Sequence, residues 1–438
     1  MEKRITSYFS NTTKVKPACI IRPESAGQVS EVVKTLVSAQ QKFAVRSGGH
    51  APLRESNNIN GGVTLDFGSL NGIRYDANTD LATFGPGVCW KDVYQALQQH
   101  GRIGAGGRED DTGVAGFLLG GGNTWYTAHK GFGCDNVVSY KIQNGSHKDL
   151  FRVLKGGSNN FGIVVGFTMM TFPSNDIWGG TTLSSKEYIP EAIRAISELT
   201  TNFPENPHSS LIGAVNYIPQ FKDIGVGAAI VETRGVEDAL AFARWEKLPK
   251  MVSILQKKLI LAMGLETALP YNMFDTWFTS TVKNDVRIME KAVEVHEGLV
   301  NDLKSFISDG EFLTQCLFQP LPMNFAQRPV AVGGNVLGIE RNKSDGLLFQ
   351  LDTMVNTSEQ NNFAYQKVNS GVQAIKEFAA TIEGGLLDWV YLNYADQSYD
   401  PLGSYGIENV NFMKGVAATY DPKRVFQQLF PGGFKLHA

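Results

Sequence analysis

The sequence predicts an α+β fold with more than one domain, and three observations carry this prediction. The chain has 438 residues, which is enough for two or three domains with full cores. Strand-like and helix-like segments alternate over the first hundred residues, and a glycine-rich centre follows at residues 104–122. From about residue 176, long helical stretches alternate with strand-like runs. We therefore predict a compact N-terminal α+β unit and a separate domain in which helices cover an antiparallel sheet.

The N-terminal unit is predicted to begin with a strand at Cys19–Ile21, which Pro23 stops. Ser25 is a candidate N-cap for a helix that carries Val29 and Leu36 on one face. The later predicted elements of this unit are a strand ending at Arg46, strands at Val63–Phe67 and Leu81–Phe84, and a helix around Trp90–Leu97 capped near Gly101. The segment Asn159–Val164 is expected to return the chain to a strand.

Two glycine-rich turns are candidate phosphate contacts. The first is Arg46-Ser47-Gly48-Gly49-His50-Ala51, where two glycines at a strand exit let backbone N–H groups turn towards an anion. The second is the turn Thr112–Gly116, inside a segment with too many small and acidic residues for an ordinary helix. A polar turn with a surface histidine and a glycine-rich surface loop are the alternatives, because short glycine-rich matches arise by chance.

The rest of the chain is predicted from periodicity and turn residues. The middle region is predicted to contain helices at Ile189–Leu199, Asp238–Leu248 and Asp285–Phe306, and strands at Gly225–Val231, Phe312–Phe318 and Leu347–Leu351. A strand at Trp389–Tyr394 and a helix at Glu408–Tyr420 follow. The Asp421-Pro422 step is then predicted to turn the tail back across the protein.

Composition excludes several kinds of partner. The 40 basic and 43 acidic residues nearly balance, so the net charge produces no electrostatic field that would attract nucleic acid or an anionic membrane surface. No apolar run is long enough to span a bilayer, and the four cysteines lack metal-ligand spacing, so no metal is expected. The N-terminus lacks the apolar core of a secretory signal. Either the protein is cytoplasmic or it is a secreted protein whose signal has been removed.

Nine segments, taken in order, resemble a known family. They are PACIIRP, VRSGGHA, TLDFGSLNGI, TGVAGFLLGGG, GFGCDNVV, LKGGSNNFGIV, YLNYAD, YDPKRVF and PGGFK. The chain is identified on these segments as similar to FAD-linked oxidoreductases of the vanillyl-alcohol oxidase type, in the fungal branch of the berberine-bridge-enzyme-like family. The resemblance covers both ends of the chain, whereas residues 176–385 match only in general character.

The resemblance implies a two-subdomain, PCMH-type FAD-binding domain plus a substrate-binding domain. Residues 1–175 would form the FAD-binding domain, residues 176–385 the substrate-binding domain, and residues 386–438 a segment that returns to the FAD-binding domain. The residues expected to contact FAD are Arg46, Ser47, Gly48, Gly49, His50, Ala51, Thr112, Gly113, Gly116, Gly120, Gly121, Gly122, Asn123, Gly162, Ile163, Val164, Tyr391 and Asn393.

The resemblance also implies how the flavin is attached. In the family, the histidine at the position of His50 is bonded through its ring to the 8α-methyl of the flavin, which raises the flavin's reduction potential. Many relatives add a second bond from a cysteine, but Glu109 stands at that position here. FAD is therefore expected to be covalent through His50 only. The run Glu109-Asp110-Asp111 would be unfavourable near a diphosphate unless it points away.

Tyr394, the second tyrosine of the YxNY motif, is the candidate catalytic base. In relatives it lies near the flavin N5 and takes the substrate hydroxyl proton as hydride leaves. This role requires positive charge or hydrogen bonds that lower a tyrosine pKa from ~10. The alternative is a core aromatic on a strand, with Leu392 and Tyr394 on one face and Tyr391 and Asn393 on the other. Lys155 and His129 are expected to be solvent-exposed.

Two departures from the family pattern stand out. The segment from Gln143 to Asp149 is shorter than the hairpin usual there, which would lower FAD affinity if that hairpin supports the adenine end. Pro52–Glu55 replaces the small and aromatic residues usual after the histidine.

The leading functional hypothesis is an oxidase that acts on a small-molecule intermediate of fungal secondary metabolism. In this hypothesis the substrate carbon gives hydride to flavin N5, and molecular oxygen reoxidises the flavin to give hydrogen peroxide. The alternatives are a redox-neutral, Diels-Alderase-like cyclase on the same scaffold and a flavin-free protein. Fold alone does not choose among these three functions.

Overall fold

The computed structural model describes residues 2–142, 148–327 and 333–437, and the shortened segment at 143–147 lies outside them. The chain divides into two compact units. Unit 1 comprises Met1–Ser174, Arg328–Gly338 and Gln397–Ala438, and unit 2 comprises Asn175–Gln327 and Ile339–Asp396. Residues 386–396 therefore belong to unit 2, although the sequence analysis grouped them with the C-terminal segment. Residues 333–338 belong to unit 1.

Unit 1 is built from three small sheets. Its strands are β1 (Cys19–Ile21), β2 (Phe43–Arg46), β3 (Val63–Asp66), β4 (Ile73–Asp76), β5 (Leu81–Phe84), β6 (Arg102–Ile103), β7 (Val137–Lys141), β8 (Gly166–Met170) and β9 (Phe172–Pro173). A parallel sheet has the order β1-β3-β2, an antiparallel sheet has the order β4-β5-β8-β7, and β6 pairs with β9. The predicted strands that end at Arg46 and Phe84 are confirmed.

The helices of unit 1 are short, apart from Ala26–Ser38 and Ile407–Tyr420. They are Glu2–Ile5, Ala26–Ser38, Trp90–Gln98, Val114–Leu119, Thr127–Lys130, Lys148–Val153, Ile407–Tyr420 and Val425–Gln428. The Ser25 hydroxyl accepts a hydrogen bond from the Gln28 backbone N–H, so the predicted N-cap is confirmed. The glycine-rich centre nevertheless contains the helix Val114–Leu119, because its apolar residues Val114 and Leu118 are buried.

The C-terminal tail packs against the parallel sheet of unit 1. The Phe43 N–H donates to the Leu429 carbonyl over 2.8 Å, and the two residues share a hydrophobic core with Phe430. The Asn160 side-chain amide donates to the Phe434 carbonyl over 3.0 Å. These contacts follow the turn at Asp421, whose carboxylate accepts from the N–H groups that begin the helix Val425–Gln428.

Unit 2 is a nine-stranded antiparallel sheet with helices on one face. Its strands are β10 (Ile177–Ser185), β11 (Ser209–Ile218), β12 (Asp223–Glu232), β13 (Val252–Ser253), β14 (Gln256–Lys258), β15 (Phe274–Lys283), β16 (Leu313–Leu321), β17 (Gly346–Val355) and β18 (Leu386–Leu387). The order is β13-β10-β12-β11-β16-β17-β15-β18, and β14 also pairs with β10. The α+β class and the helix-covered antiparallel sheet are as predicted.

The helices of unit 2 are Ile189–Thr201, Ala243–Glu246, Ile260–Glu266, Val286–Phe306 and Ser358–Ala380. The predicted helix at Asp285–Phe306 is confirmed, with Asp285 as its N-cap. Its fully buried His296 contacts the Thr314 hydroxyl of β16 at 2.7 Å, and burial lowers the pKa of His296 to about 3. The helix Ser358–Ala380 packs Tyr365 on Phe278 of β15. The two long helices therefore cover the same face of the sheet.

Several sequence-based elements are wrong in their type or extent. Trp389–Tyr394 is not a strand: a short 3-10 helix spans Leu392–Tyr394, and the aromatic rings of this segment are buried on one another. By contrast, the segment Asn159–Val164 leads the chain into β8, as expected. The predicted helix at Asp238–Leu248 is reduced to a 3-10 turn at Leu240–Phe242 and a helical turn at Ala243–Glu246. The 23-residue helix Ser358–Ala380 was missed because its polar Asn and Gln residues weaken the apolar stripe.

Candidate functional site

In unit 1, the two predicted glycine-rich turns contact each other backbone to backbone. A Cβ atom built on Gly48 would lie 2.7 Å from the Gly113 Cα, and one built on Gly113 would lie 2.4 Å from the Gly48 N. The second turn is tied to the start of the helix Trp90–Gln98, because the Trp90 N–H donates to the Thr112 carbonyl over 3.0 Å. Glycine is therefore required at both positions, and the structure brings Gly48, Gly113 and Thr112 together as a single feature. We call it the Gly48–Gly113 junction.

His50 lies beside this junction and is held from two directions. Its ring stacks on Phe9, with centroids 4.4 Å apart and planes inclined by 8°. The Phe9 N–H donates to the Gly49 carbonyl over 3.2 Å, which anchors the N-terminal segment on the turn. The His50 Nε2 lies 2.9 Å from the Glu109 Oε2, and both side chains are mostly buried. The ring plane and one ring edge are therefore fixed.

Arg46 and Ser47 tie the first turn to neighbouring backbone. The Arg46 guanidinium donates to the carbonyls of Arg4 and Ser7 and lies 3.8 Å from the centre of the Tyr8 ring. Burial lowers the pKa of Arg46 and raises the pKa of Tyr8 to about 12. The Ser47 hydroxyl donates to the Pro86 carbonyl over 2.5 Å. Gly49 has φ +81°, a conformation that favours glycine.

The glycine triplet after the helix Val114–Leu119 makes a tight turn. Gly121 and Gly122 have φ of +107° and +81°, and a Cβ on Gly122 would overlap the Phe117 ring. The Gly120 N–H donates to the Gly116 carbonyl over 3.2 Å and closes the helix. By contrast, a Cβ on Gly116 would stand in open space. That open backbone beside the Gly48–Gly113 junction leaves room for a ligand to approach.

The other predicted contacts of unit 1 are partly or fully buried, except for Ala51. The Asn123 side chain is buried and accepts a hydrogen bond from the Thr127 hydroxyl over 2.9 Å. Gly162 has φ +137°, Ile163 packs against the core of the parallel sheet, and Val164 is buried. Ala51 follows His50 at the exposed end of the first turn.

The three carboxylates of the run Glu109-Asp110-Asp111 lie in different surroundings. Glu109 faces His50, whereas Asp111 forms an ion pair with Lys91. The Asp110 side chain is buried, which raises the pKa of its carboxyl group. The charges nearest His50 are thus not three equivalent carboxylates, because one of them is already matched by a lysine.

Lys155 is not exposed, and the expectation that it would be is wrong. It is fully buried, and its ammonium group lies 4.4 Å from the centre of the Phe151 ring. Burial lowers the pKa of Lys155 and raises that of nearby Asp135, whose carboxylate accepts from the Asn335 side-chain amide over 2.9 Å. His129 is partly exposed and packs edge-on against Tyr126.

In unit 2, the YxNY motif forms an aromatic cluster. The Tyr394 ring packs edge-on against Tyr391 at 4.9 Å and against Trp277 of β15 at 6.0 Å. The Asn393 side-chain amide donates to the Tyr391 hydroxyl over 3.2 Å, and Tyr394 is only partly exposed. Tyr391 and Tyr394 therefore pack edge-on against each other and do not lie on opposite faces of a strand.

Unit 2 also has a row of polar side chains on the sheet face opposite the long helices, which the sequence did not predict. In the strand register, Trp277 pairs with Asp352, and Asp352 pairs with Gln315, so the three side chains share one face. Asp352 is fully buried beside Gln350, whose side-chain amide donates to it over 2.9 Å. Burial and the neighbouring Asp275 raise the pKa of Asp352 well above its usual range. The available signal was the alternation of Gln350 and Asp352 in an otherwise apolar strand.

Comparison with known proteins decides the family. A family model for an FAD binding domain matches residues 17–146. An FAD-dependent monooxygenase of Aspergillus calidoustus is 34% identical over 98% of this chain and 85% of its own length. The chain belongs to the FAD-linked oxidoreductases of the vanillyl-alcohol oxidase type. A second FAD-dependent monooxygenase of this family, from Emericella nidulans, is 33% identical over 99% of the chain and 93% of its own length.

Solved structures of FAD-linked oxidoreductases share the fold. A 6-hydroxy-D-nicotine oxidase of Arthrobacter nicotinovorans superposes with a TM-score of 0.79 at 18% identity, covering 97% of this chain and 94% of its own. A glucooligosaccharide oxidase of Acremonium strictum superposes with a TM-score of 0.76 at 16% identity, over 99% of this chain and 94% of its own. That protein carries a 6-S-cysteinyl, 8α-N1-histidyl FAD. Among the described residues of our chain, no helix is both long and apolar enough to cross a membrane.

The residues of unit 1 fit an FAD. The Gly48–Gly113 junction has no room for side chains, Gly116 opens onto empty space, and His50 is held beside them with a fixed ring. Such a cradle of glycine backbone suits a phosphate-bearing cofactor. The enzyme is therefore an FAD-dependent oxidoreductase whose family has fungal relatives in secondary metabolism.

Proposed function

We propose that this protein is an FAD-linked oxidase that removes a hydride from a hydroxyl-bearing carbon of a small molecule and passes the electrons to molecular oxygen. The observation that carries the proposal is the fixed His50 ring at the Gly48–Gly113 junction. A histidine held in this way beside a glycine cradle is suited to a permanent bond with the flavin, and Glu109 leaves His50 as the single point of attachment.

The residues of the chain have distinct parts in this function. When bound, FAD supplies the two-electron acceptor. The residues of the two glycine-rich turns would hold its phosphates through backbone N–H groups, and His50 would hold its dimethylbenzene end. Tyr394 accepts the proton of the substrate hydroxyl as the hydride leaves the carbon. Asn393 supports Tyr394 through the hydroxyl of Tyr391 and is a candidate hydrogen-bond donor to the flavin.

The substrate class is supported by the relatives and by unit 2. Fungal FAD-dependent monooxygenases and a bifunctional solanapyrone synthase of Alternaria solani, the latter 28% identical over 98% of this chain, favour a secondary metabolite. Trp277 and Gln315, which are both partly exposed, offer an aromatic ring and a neutral hydrogen-bonding group on the same face of the sheet as the buried Asp352. Such a surface suits an aromatic or polyketide-derived molecule with hydroxyl and carbonyl groups.

Stopped-flow spectroscopy under anaerobic conditions tests the proposal. A panel of small aromatic and allylic alcohols is mixed with the purified enzyme, and the flavin absorbance near its visible maximum is followed. We expect at least one alcohol to bleach the flavin, and readmitted oxygen to restore its colour with about one hydrogen peroxide per substrate oxidised. Tyr394→Phe should slow the bleaching without changing the flavin content.

Other outcomes point to other functions. Incorporation of ¹⁸O₂ into the product, in place of peroxide release, would mean a monooxygenase. Conversion of a substrate without bleaching would mean a redox-neutral cyclase on the same scaffold. A colourless protein that contains no flavin after expression with excess riboflavin would contradict the proposal and favour a flavin-free protein.

A further inference from the structure

Glu109 stands where a second flavin attachment is found in relatives, yet its carboxylate is directed at His50. The Glu109 Oε2 is 2.9 Å from the His50 Nε2, and only 16% of the Glu109 side chain is exposed. A carboxylate at this distance and this degree of burial interacts much more strongly than an ion pair on an open surface. Glu109 therefore does more than fill the space that a cysteine would occupy.

The contact decides which ring nitrogen carries a proton. In a neutral imidazole one nitrogen bears hydrogen and the other bears the lone pair, and a charge beside one nitrogen biases the arrangement. The Glu109 carboxylate places a negative charge 2.9 Å from Nε2, and this charge favours hydrogen on the nitrogen nearest to it. The lone pair, and with it the nucleophilic character, is then on Nδ1.

The Phe9 contact fixes the remaining freedom of the ring. Because the two rings lie almost parallel, rotation of the His50 side chain about its last torsion would break the stacking on Phe9 and separate Nε2 from Glu109. The geometry therefore holds the plane of the ring and keeps Nε2 beside the Glu109 carboxylate.

We propose that Glu109 is the positioning residue for covalent flavin attachment, holding hydrogen on the His50 Nε2 so that Nδ1 forms the bond. This inference rests on the proposed function, since it needs a flavin at His50. It extends that function by assigning a role to a residue that departs from the pattern of doubly attached relatives.

The attachment step balances as follows. Nδ1 uses its lone pair to form a bond to the 8α-carbon, one C–H bond of that carbon breaks, and its proton passes to solvent. The two electrons of the broken bond remain in the flavin until molecular oxygen accepts them, with protons, as hydrogen peroxide. His50 now has three bonds at Nδ1 and keeps hydrogen on Nε2, so its ring becomes a cation.

Glu109 stabilises that cation once it has formed. A buried carboxylate beside a histidine that becomes positively charged is the arrangement of catalytic triads, where it holds the tautomer and stabilises the imidazolium. The other acidic residues of the run are not equivalent, since Asp111 is paired with Lys91. The Asp111→Asn variant is therefore a matched control, with the same loss of charge two residues away.

The test measures the rate of covalent attachment and not the activity of the loaded enzyme. Wild type, Glu109→Gln, Glu109→Leu and Asp111→Asn are produced in a riboflavin-auxotrophic host without flavin and then mixed with FAD. Aliquots are denatured, and intact mass gives the fraction of chains that carry covalent FAD. Thermal melting of each apoprotein and FAD fluorescence quenching report folding and non-covalent binding.

We expect Glu109→Gln, which keeps an acceptor oxygen but loses the charge, to attach FAD roughly tenfold more slowly than wild type. Loss of a partner that orients a functional histidine costs about 10- to 100-fold in comparable sites. Glu109→Leu, which loses both the oxygen and the charge, should be slower still. Asp111→Asn should match wild type, and all four proteins should quench FAD fluorescence to a similar extent.

Four results would overturn the inference, and they can be told apart. Attachment at the wild-type rate in both Glu109 variants would show that the carboxylate has no such role, while the proposed function would stand. Equal slowing in Asp111→Asn would show a general effect of loop charge. Release of all FAD from denatured wild-type protein would show that no covalent bond exists, and it would count against the proposed attachment as well as against Glu109.

Acid hydrolysis of the wild-type flavopeptide, followed by NMR, should give the Nδ1-linked histidyl flavin, and an Nε2 linkage would contradict the assigned tautomer.

Discussion

Unit 1 and unit 2 build their candidate sites in different ways. In unit 1 the decisive contacts are between backbone atoms, and at Gly48 and Gly113 no side chain other than hydrogen fits. In unit 2 the candidate groups are side chains at alternate positions of strands, as with Gln350 and Asp352, where the backbone would accept many residues. The proposed cofactor site therefore appears in the sequence as motifs, whereas the proposed substrate site has no fixed motif.

The largest expected effect concerns the side-chain site of unit 2. Tyr394→Phe removes the proton acceptor, and the loss of a general base typically lowers a rate by about 10²–10⁴-fold. Flavin content and thermal stability should stay close to those of wild type. Tyr391→Phe is the control, because it removes only the acceptor of the Asn393 amide and should lower kcat far less. Equal losses in the two variants would argue against Tyr394 as the base.

The backbone contact of unit 1 is tested by a pair of glycine substitutions. Gly113→Ala places a methyl group against the Gly48 backbone and should destabilise the fold by about 1–3 kcal/mol. Gly116→Ala lies within a helix and faces open space, so it should be neutral or stabilise by up to about 1 kcal/mol. Urea unfolding with two-state fits compares the two variants. Similar unfolding midpoints for the two variants would contradict the prediction that Gly113 is closely packed and Gly116 is not.

A smaller effect is expected from the buried acid of unit 2. The pKa of Asp352 in the folded protein is raised above its ordinary value of 3.8, so the folded state keeps a proton that the unfolded chain releases. The stability contribution is therefore present at low pH and is lost as pH rises above about 4. Asp352→Asn stays neutral and should reduce this loss, as measured by melting temperature between pH 5 and 8. Asp388→Asn, with a side chain 85% exposed, should leave the slope unchanged.

The smallest effect is expected at Lys435 in the C-terminal tail of unit 1. Its ammonium group lies over Phe430 and donates to the Asn159 side chain, and burial lowers the pKa of Lys435 from 10.5 to about 7. The folded state therefore binds fewer protons than the unfolded chain between these two values, so stability rises with pH from about 7 to 10.5. Lys435→Met should flatten this rise in melting temperature. Exposed Lys423→Met provides the control, and an unchanged slope in Lys435→Met would contradict the burial.

Sequence was a good guide where a local rule determines the structure. Ser25 and the helix from Val286 could be predicted because a cap residue and an apolar periodicity are local signals. Lys155 could not, because its burial depends on the tertiary packing around it and not on a local rule. The Trp389–Tyr394 segment reads as a strand by composition, but its rings bury one another and so stabilise a turn.

The candidate site follows the same division. The residues of both glycine-rich turns and His50 were predicted in sequence and lie together in unit 1. The Phe9 and Glu109 contacts with His50 were not predicted, since they join parts of the chain that are far apart in sequence. The polar row of unit 2 needed strand register, which no single segment specifies.

The central claim is that His50 alone carries the flavin, and intact mass spectrometry of the denatured protein tests it most directly. Wild type should have the mass of the polypeptide plus one FAD, less the two hydrogen atoms lost on attachment, and Glu109→Gln matured to completion should show the same increment over its own polypeptide mass. His50→Ala should have the mass of the bare polypeptide and release its flavin on denaturation. A wild-type protein with the mass of the bare chain, or a His50→Ala variant that keeps covalent FAD, would contradict the account.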